Sequence, residues 1–311
     1  MELEIWSGEW GLPSIDCQCL QVLTLLKISG AVFEVNKTNN PLFTTEGLPA
    51  LKHEKRNLHN FHHILTYLNE KNYVPDPNLN AKELAESLAY RNMVEQKLFP
   101  ALRYVWWVDE KNFENVTRPR YAKMLPFPLN FFYPGHYRRI NESAIHSLYQ
   151  HLETDTDIQI EIFKEAEKCL TCLSNRLGDK DFFFGSHPST LDSFVFGCLA
   201  PLLKAPFTAN VLQNHLKACP NLVKFVNRIL QRYFSRELKE YEKEQPPKAK
   251  DTSKSEVFPN KTRNQILATL FAITAMLSFG ISTGIFSISL HNSDPDDDDI
   301  SDFVNEEQFS E

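Results

Sequence analysis

The sequence lacks two features that would each assign the chain to a broad class. Its first ten residues contain no lysine or arginine, whereas secretory signals and mitochondrial transit peptides both carry basic residues there. It also lacks a basic excess: the net charge is −7 and nine acids in residues 291–311 supply −9, which leaves about +2 for the rest. We therefore expect no cleaved leader at this N-terminus and no nucleic-acid partner.

The chain also lacks any charged residue between Ile266 and Leu290, a run of 25 residues. A membrane-spanning helix needs about 20 such residues, and a buried core helix of this length would normally keep a charged face. Lys261 and Arg263 precede the run, and basic residues stay on the cytosolic side. The pattern predicts a C-terminal transmembrane anchor in lipid, with the body facing the cytosol and the acidic tail beyond the membrane.

Two parts of this C-terminal region have more than one interpretation. Gly280 and Gly284 match the small-residue spacing that lets two membrane helices pack closely, although such matches are common in apolar segments. The acidic tail is either a solvated cap or a segment that binds basic proteins. The organelle that receives the anchor does not follow from its physical properties, since an endoplasmic-reticulum anchor fits them as well.

Periodicity divides the rest of the chain into a mixed half and a helical half. The apolar pattern predicts strands at residues 3–6 and 31–35 and a short strand at 47–51. Helical spacing predicts a helix that starts at Ser14 or Asp16 and ends near Ser29, and a second helix at 61–68. From residue 81 the pattern is helical, with helices at 81–107, 158–177, 191–203 and within 211–233, and with an irregular, proline-rich segment at 111–140.

These elements predict five parts of the chain. They are a thioredoxin-like domain (1–75), a helical domain (81–234), a charged linker (235–265), the transmembrane anchor (266–290) and the acidic tail (291–311).

A βαβ…ββα half followed by a helical half resembles the glutathione-transferase plan. Leu48-Pro49-Ala50-Leu51 lies where such folds carry a cis-proline, so the resemblance implies a cis bond before Pro49. Phe182 to Asp192 resembles the signature of the helical domain and includes Gly185. There Ser189 would cap a helix and Asp192 would reach back to the Ser189 amide, a reciprocal capping box with a structural role.

Several stretches resemble the metaxin family more closely than the enzymes. They are Trp6 to Ser14, Lys97 to Pro100, Trp106 to Asp109, Leu125 to Gly135, Phe182 to Phe196 and Arg263 to Leu267. The resemblance implies a non-enzymatic subunit of the mitochondrial outer-membrane sorting and assembly machinery. It implies as partners the β-barrel assembly pore subunit and a second metaxin. A further alternative is an organelle adaptor for transport or for cristae-organising complexes.

The alternative function is a membrane-anchored glutathione transferase or peroxidase. Such a site needs a hydroxyl or thiol at the start of the first helix, and Ser7, Ser14 and Cys17 are close to that position. It also needs an acidic or amide residue followed by serine before the next helix. Asn60 and Phe61 stand there instead, and phenylalanine cannot donate the hydrogen bond and would intrude on a carboxylate pocket. We therefore predict no catalytic residue and no cofactor.

Cysteine and histidine pairs raise the question of metal or redox chemistry. Cys169 and Cys172 lie in mid-helix among leucines, which favours packing, and without a secretory signal the six cysteines are predicted to be reduced. His59 and His63 have helical ligand spacing, but no carboxylate or cysteine cluster completes a site. The sequence therefore predicts no metal.

Residues 124–135 combine large apolar side chains with three prolines, which predicts an apolar loop rather than a regular element. Such a loop either folds onto the core or forms a docking surface, since large exposed apolar patches usually mark contacts. The candidate partner surface consists of Phe127, Pro128, Leu129, Phe131 and Phe132.

Overall fold

The computed structural model describes residues 1–38, 47–73, 76–208 and 210–244, together with eight residues between 266 and 279. The chain divides into two compact units, Met1–Ser253 and Lys254–Glu311. The eight described residues of the second unit are helical.

A four-stranded sheet forms the N-terminal part of the first unit. Its strands are β1 (Glu2–Ile5), β2 (Glu34–Lys37), β3 (Ala50–His53) and β4 (Arg56–Leu58). They lie in the order β2-β1-β3-β4, with β1 parallel to β2 and the other pairs antiparallel. The helix α1 (Cys17–Ile28) crosses from β1 to β2, and α2 (Phe61–Glu70) follows β4. This βαβ…ββα order is the predicted thioredoxin-like arrangement.

The second strand begins later than the sequence predicts. Residues 31–33 of the expected strand 31–35 lie before β2, and Val32 is 81% exposed. All four residues of β2 are exposed, because this strand is at the edge of the sheet. An exposed edge strand has no buried face to impose alternation, so its register could not be found from the apolar pattern.

Helices make up the rest of the first unit. They are α3 (Ala81–Met93), α4 (Phe99–Arg103), α5 (Glu110–Asn112), α6 (Arg118–Met124), α7 (Leu129–Leu148), α8 (Asp155–Leu177), α9 (Thr190–Lys204), α10 (Val211–Lys217), α11 (Pro220–Tyr233) and α12 (Ser235–Glu244). Wider π-helical turns connect α3 to α6 at Val94–Leu98, Tyr104–Val108 and Phe113–Thr117.

The prediction of an irregular segment at 111–140, with an apolar loop at 124–135, is wrong. Most of it is helical, and α7 begins at Leu129. Pro126 and Pro128 precede α7, where they remove no hydrogen bond of the helix, whereas Pro134 lies inside α7. The first two prolines therefore mark the start of a helix, and the third is tolerated within it.

The segment interpreted as a linker, 235–265, begins with a helix. Ser235–Glu244 forms α12, whose side chains Leu238 and Tyr241 lie against Gly11. Because Leu238 and Tyr241 are three positions apart, they lie on one face of the helix, and this apolar face packs on the N-terminal part. The high content of charged residues in the segment makes this face hard to recognise from composition alone.

A close approach joins α1 to α9. Gly197 of α9 lies so near α1 that a Cβ atom built on it would be 2.7 Å from the Gln21 nitrogen and 2.8 Å from the Cys17 oxygen. Buried Gln21 also donates hydrogen bonds to the Phe194 carbonyl (3.1 Å) and to the Cys198 sulfur (3.3 Å). The glycine thus allows the sheet and helical parts to share one core.

Most of the predicted anchor, 266–290, lies outside the described residues, as do Gly280, Gly284 and the acidic tail. Within the described part of the chain, the helices are either too short or too polar to cross a membrane.

Candidate functional site

The start of α1 is organised around the carboxylate of Asp16. A turn with positive φ at Trp10 and Gly11 leads from β1 toward the helix. Asp16 then caps α1, because its side chain accepts a hydrogen bond from the Cys19 backbone at 2.8 Å. The Ser14 hydroxyl accepts in turn from the Asp16 backbone at 3.3 Å.

The thiols at this position are not activated. A helix N-terminus ordinarily lowers the pKa of a nearby thiol. Here burial raises the pKa of Cys17 and of Cys19 well above the usual value, and the charge of Asp16 raises both further. Both thiols therefore stay protonated at neutral pH, and neither can supply the thiolate that redox or nucleophilic chemistry needs.

The start of α2 has a phenylalanine instead of a hydroxyl residue at the position where a transferase needs serine. The Asn60 side chain accepts from the His62 backbone at 2.8 Å and so serves as the helix cap. Phe61 is 6% exposed, and its ring packs edge to face on Phe194 of α9 at 4.9 Å. Phe61 therefore packs at the contact between the N-terminal sheet part and the helical part of the first unit.

A cleft of about 260 Å³ opens between the start of α1, the residues before Pro49 and the helices α4 to α7. Seven large aromatic residues line it: Trp6, Phe99, Trp106, Trp107, Tyr121, Tyr133 and Tyr137. A second cleft of about 130 Å³ shares Gln18, Phe99 and Arg103 with it, so the two are contiguous. Arg103 is exposed at their shared rim.

Five of these rings form a closed circuit. Trp6 is 5.2 Å from Tyr121, which is 4.9 Å from Trp107. Trp107 is 4.7 Å from Tyr137, which stacks on Tyr133 at 5.6 Å. Tyr133 closes the circuit at 6.1 Å from Trp6. We call these five residues the aromatic ring. Its members come from the residue after β1, from α6 and α7, and from the turn after α4.

Asp16 and the three tyrosines of the aromatic ring line the same cleft and influence one another electrostatically. Burial raises the pKa of Tyr121, Tyr133 and Tyr137, the last to about 12, and the charge of Asp16 raises each of them further. Arg103 lowers the pKa of Tyr137, as a nearby cation should. The cleft therefore holds one carboxylate among neutral phenols, with one cation at its rim.

Sequence reasoning did not identify the aromatic ring. Tyr133 and Tyr137 have helical i, i+4 spacing, which would have been a signal had α7 been recognised. Trp6 and Tyr121 are far apart in the chain, and only the tertiary fold brings their rings together.

The predicted structural residues occupy the positions suggested by the transferase resemblance. The Leu48–Pro49 peptide bond is cis, and Gly185 adopts a φ of 120°. Asp192 accepts from the Ser189 backbone at 2.8 Å and from the Phe183 backbone at 3.0 Å, and it is fully buried. Burial raises its pKa to about 6.

The other candidate residues are dispersed. Cys169 is 2% exposed and its pKa is raised by burial to about 12, whereas Cys172 is exposed. His59 contacts the Gly47 carbonyl at 2.9 Å, and His62 lies 3.5 Å from Glu95. Among the described residues, no three histidine, cysteine or acidic side chains converge in a way that could hold a metal ion.

The candidate partner surface is an exposed corner of the helical part. Phe127 and Phe131 are each 40% exposed, with rings 6.0 Å apart, and Phe132 is 68% exposed. Pro128 and Leu129 are half-buried, and Leu129 packs against the core. We call Phe127, Phe131 and Phe132 the phenylalanine patch.

Comparison with known proteins identifies the family. A family model described as "Outer mitochondrial membrane transport complex protein" matches residues 19–138. Metaxin-1 of Sus scrofa is 41% identical over 292 residues, which cover 93% of this chain and 92% of that protein. The chain belongs to the metaxin family. Metaxin-3 of Xenopus laevis is 40% identical over 237 residues, which cover 75% of this metaxin and 77% of the relative.

The fold of this metaxin is that of glutathione transferases. The family model for the C-terminal domain of glutathione S-transferase matches residues 166–229. The crystal structure of a β-etherase from Sphingobium sp. strain SYK-6 superposes with a TM-score of 0.51, covering 78% of this chain and 99% of that chain. At 15% sequence identity this match establishes the fold alone.

Proposed function

We propose that this metaxin is a non-enzymatic subunit of the sorting and assembly machinery in the mitochondrial outer membrane. In this role it supports protein import and the insertion of β-barrel precursors, beside the barrel pore subunit and a second metaxin. The observation that carries the proposal is the match to metaxins over 93% of the chain. The family model described as an outer mitochondrial membrane transport complex protein supports the same role.

The chemistry at the start of α1 supports a role without catalysis. Glutathione chemistry on this fold depends on stabilising a thiolate, which requires positive potential. Asp16 places a negative charge at that position, and Phe61 fills the space where the next helix would offer a hydroxyl. Both features oppose the binding and activation of an anionic thiol.

The phenylalanine patch is our candidate for the contact with the pore subunit or the second metaxin. Aromatic residues are enriched in the buried cores of interfaces, and these three rings are 40%, 40% and 68% exposed in the described part of the chain. We further propose that residues 266–290 anchor the protein through lipid, with the body in the cytosol and the acidic tail in the intermembrane space. Gly280 and Gly284 would then be available to pair with a neighbouring membrane helix.

Native electrophoresis of mitochondria that carry the N-terminally tagged chain tests the proposal. Mass spectrometry of the co-migrating proteins should find a β-barrel assembly pore and a second metaxin. A lone species that retains glutathione and conjugates it to an electrophile would instead establish the transferase alternative. Absence of the chain from mitochondria would overturn the proposed location.

A further inference from the structure

The cleft combines two features that serve the same kind of ligand. Asp16 forms no ion pair with a lysine or arginine anywhere in the described part of the chain, although burial disfavours its charge. The five residues of the aromatic ring line the same space, and of these Tyr133 and Tyr137 are the more exposed. A half-buried carboxylate without a counter-ion and a set of aromatic side chains both attract cations.

We propose that this cleft binds the guanidinium group of one arginine side chain presented by a partner polypeptide. The guanidinium would lie against the rings and donate hydrogen bonds to the Asp16 carboxylate. This is a binding function of the metaxin body, separate from membership of any complex.

The acceptors in the cleft favour guanidinium over a quaternary ammonium. Asp16 offers carboxylate oxygens, and Tyr121, Tyr133 and Tyr137 offer hydroxyl oxygens. A trimethylammonium group has no N–H donors and would leave these acceptors unpaired. Guanidinium has five donors in one plane and stacks on aromatic faces through that plane.

The surroundings of the cleft favour one cation on a chain rather than a basic tract. The contiguous cleft lined by Phe61, His62 and Glu95 gives room for residues that flank the arginine. Arg103 at the shared rim would repel a second positive charge close to the first.

The protein already uses the same chemistry beside the cleft. Arg120 pairs with Glu9 at 2.6 Å, and its guanidinium lies 5.7 Å from the Trp10 ring. A carboxylate and an indole thus hold an arginine within the same N-terminal loop. The cleft offers a comparable carboxylate and more rings, but without the arginine.

Saturation-transfer NMR on the full chain in detergent tests the assignment. The probe is Nα-acetylarginine methyl ester, and the matched control ligand is the citrulline analogue, which has nearly the same shape and no charge. We expect the arginine probe to bind at least tenfold more tightly than the citrulline probe. Equal binding of the two would overturn the proposal.

Two variants assign the binding to the cleft. Asp16→Asn keeps a good helix cap and removes the charge, and it should weaken binding of the arginine probe at least tenfold. Asp109→Asn makes the same change at the cap of α5, outside the cleft, and should leave binding unchanged. Tyr137→Leu should weaken binding several-fold, and Tyr137→Phe, which keeps the ring but loses one hydroxyl acceptor, should weaken it less.

Undiminished binding in Asp16→Asn would contradict the assignment. So would preferential binding of choline, because that result would give the cleft to a lipid headgroup instead. Since the measurement uses the purified chain and small molecules, its failure would leave the proposed complex membership untouched. Conversely, absence from the complex would not alter binding of the arginine probe.

Discussion

The carboxylate of Asp192 lies 2.8 Å from the backbone nitrogen of Ser189 and holds the first turn of α9 in place. The Ser189 hydroxyl donates to the same carboxylate, and the Phe183 backbone donates to its other oxygen. All of these groups are buried. One acidic side chain therefore orders both the start of α9 and the loop before it.

This buried cap predicts an unusual pH dependence of stability. The folded-state pKa of Asp192, about 6, lies above the unfolded value of 3.8, so between these pH values the native state keeps a proton that the unfolded state loses. Its contribution is therefore fully present below about pH 4 and is lost as the pH rises through 6, a change of about 3 kcal/mol. Urea unfolding of the wild type and of Asp192→Asn from pH 4 to 7 measures it as the difference between the two.

The matched control is Asp157→Asn at the start of α8, where Thr154 and an exposed Asp157 make a similar cap. We expect Asp157→Asn to change the free energy of unfolding less than Asp192→Asn does, because the Asp157 side chain is exposed to water. If the Asp192 difference were flat across this pH range, the buried carboxylate would not be titrating as described.

The joint between α1 and α9 predicts a glycine requirement. Gly197→Ala would place a methyl group against the backbone of α1 and should destabilise the protein by about 1–3 kcal/mol or more, as overpacking does. Gly135→Ala is the control, since a Cβ there meets nothing within 4 Å. The control should be neutral or slightly stabilising in the same urea titration, because alanine favours helix.

We predict that the substitution Phe61→Ser will destabilise the protein and will not create glutathione transferase activity. Phe61→Ser removes a buried ring that packs on Phe194 and should cost about 3–5 kcal/mol. Conjugation of glutathione to a generic electrophile should stay at the uncatalysed rate, because Asp16 still opposes thiolate at α1. Phe131→Ser, at a 40% exposed site, should cost far less. A raised conjugation rate in Phe61→Ser would argue for a working transferase site.

The phenylalanine patch predicts a variant that folds but does not assemble. Replacing Phe127, Phe131 and Phe132 by serine should change stability by less than about 1 kcal/mol per site, since the rings are exposed. Co-migration with partners on native gels should nevertheless be lost. Ile160→Ser, 59% exposed on α8, should keep both stability and assembly. Intact assembly in the triple variant would remove the patch from the interface.

The thiols predict a specific order of alkylation. Exposed Cys172 should react first with iodoacetamide, and half-buried Cys17 should react far more slowly because its raised pKa leaves little thiolate. Asp16→Asn should accelerate the reaction at Cys17 by removing the nearby negative charge, while Cys172 reacts as before. Peptide mass spectrometry at timed intervals measures both rates.

Local signals explain which parts of the fold could be predicted. The C-terminal end of α8 and both ends of α9 were predicted to within one residue, because Gly178 ends α8 and the Ser189 cap precedes α9, whereas α8 begins three residues before its predicted start. Prolines concealed α7, since their effect depends on where in a helix they fall. The helix α12 was not predicted, because its many charged residues outnumber the few apolar residues that define its packed face.

The candidate site was less predictable than the fold. Asp16 was recognised as a possible cap, but its relation to the aromatic rings was not, because Trp6, Trp107 and Tyr121 come from separate elements. Such a site arises only when the packing of a sheet on helices is known. In this respect α7 was decisive, because it supplies both Tyr133 and Tyr137.

The contact at Gly197 also limits how the protein can move. A hinge between the sheet and the helical part would have to separate backbones that leave no room for even a methyl group, and it would expose Gln21 without its partners. The α1 wall of the cleft is consequently fixed to the helical part by this contact. A ligand that enters there meets one wall that is already in place, so binding does not have to be accompanied by a hinge motion between α1 and α9.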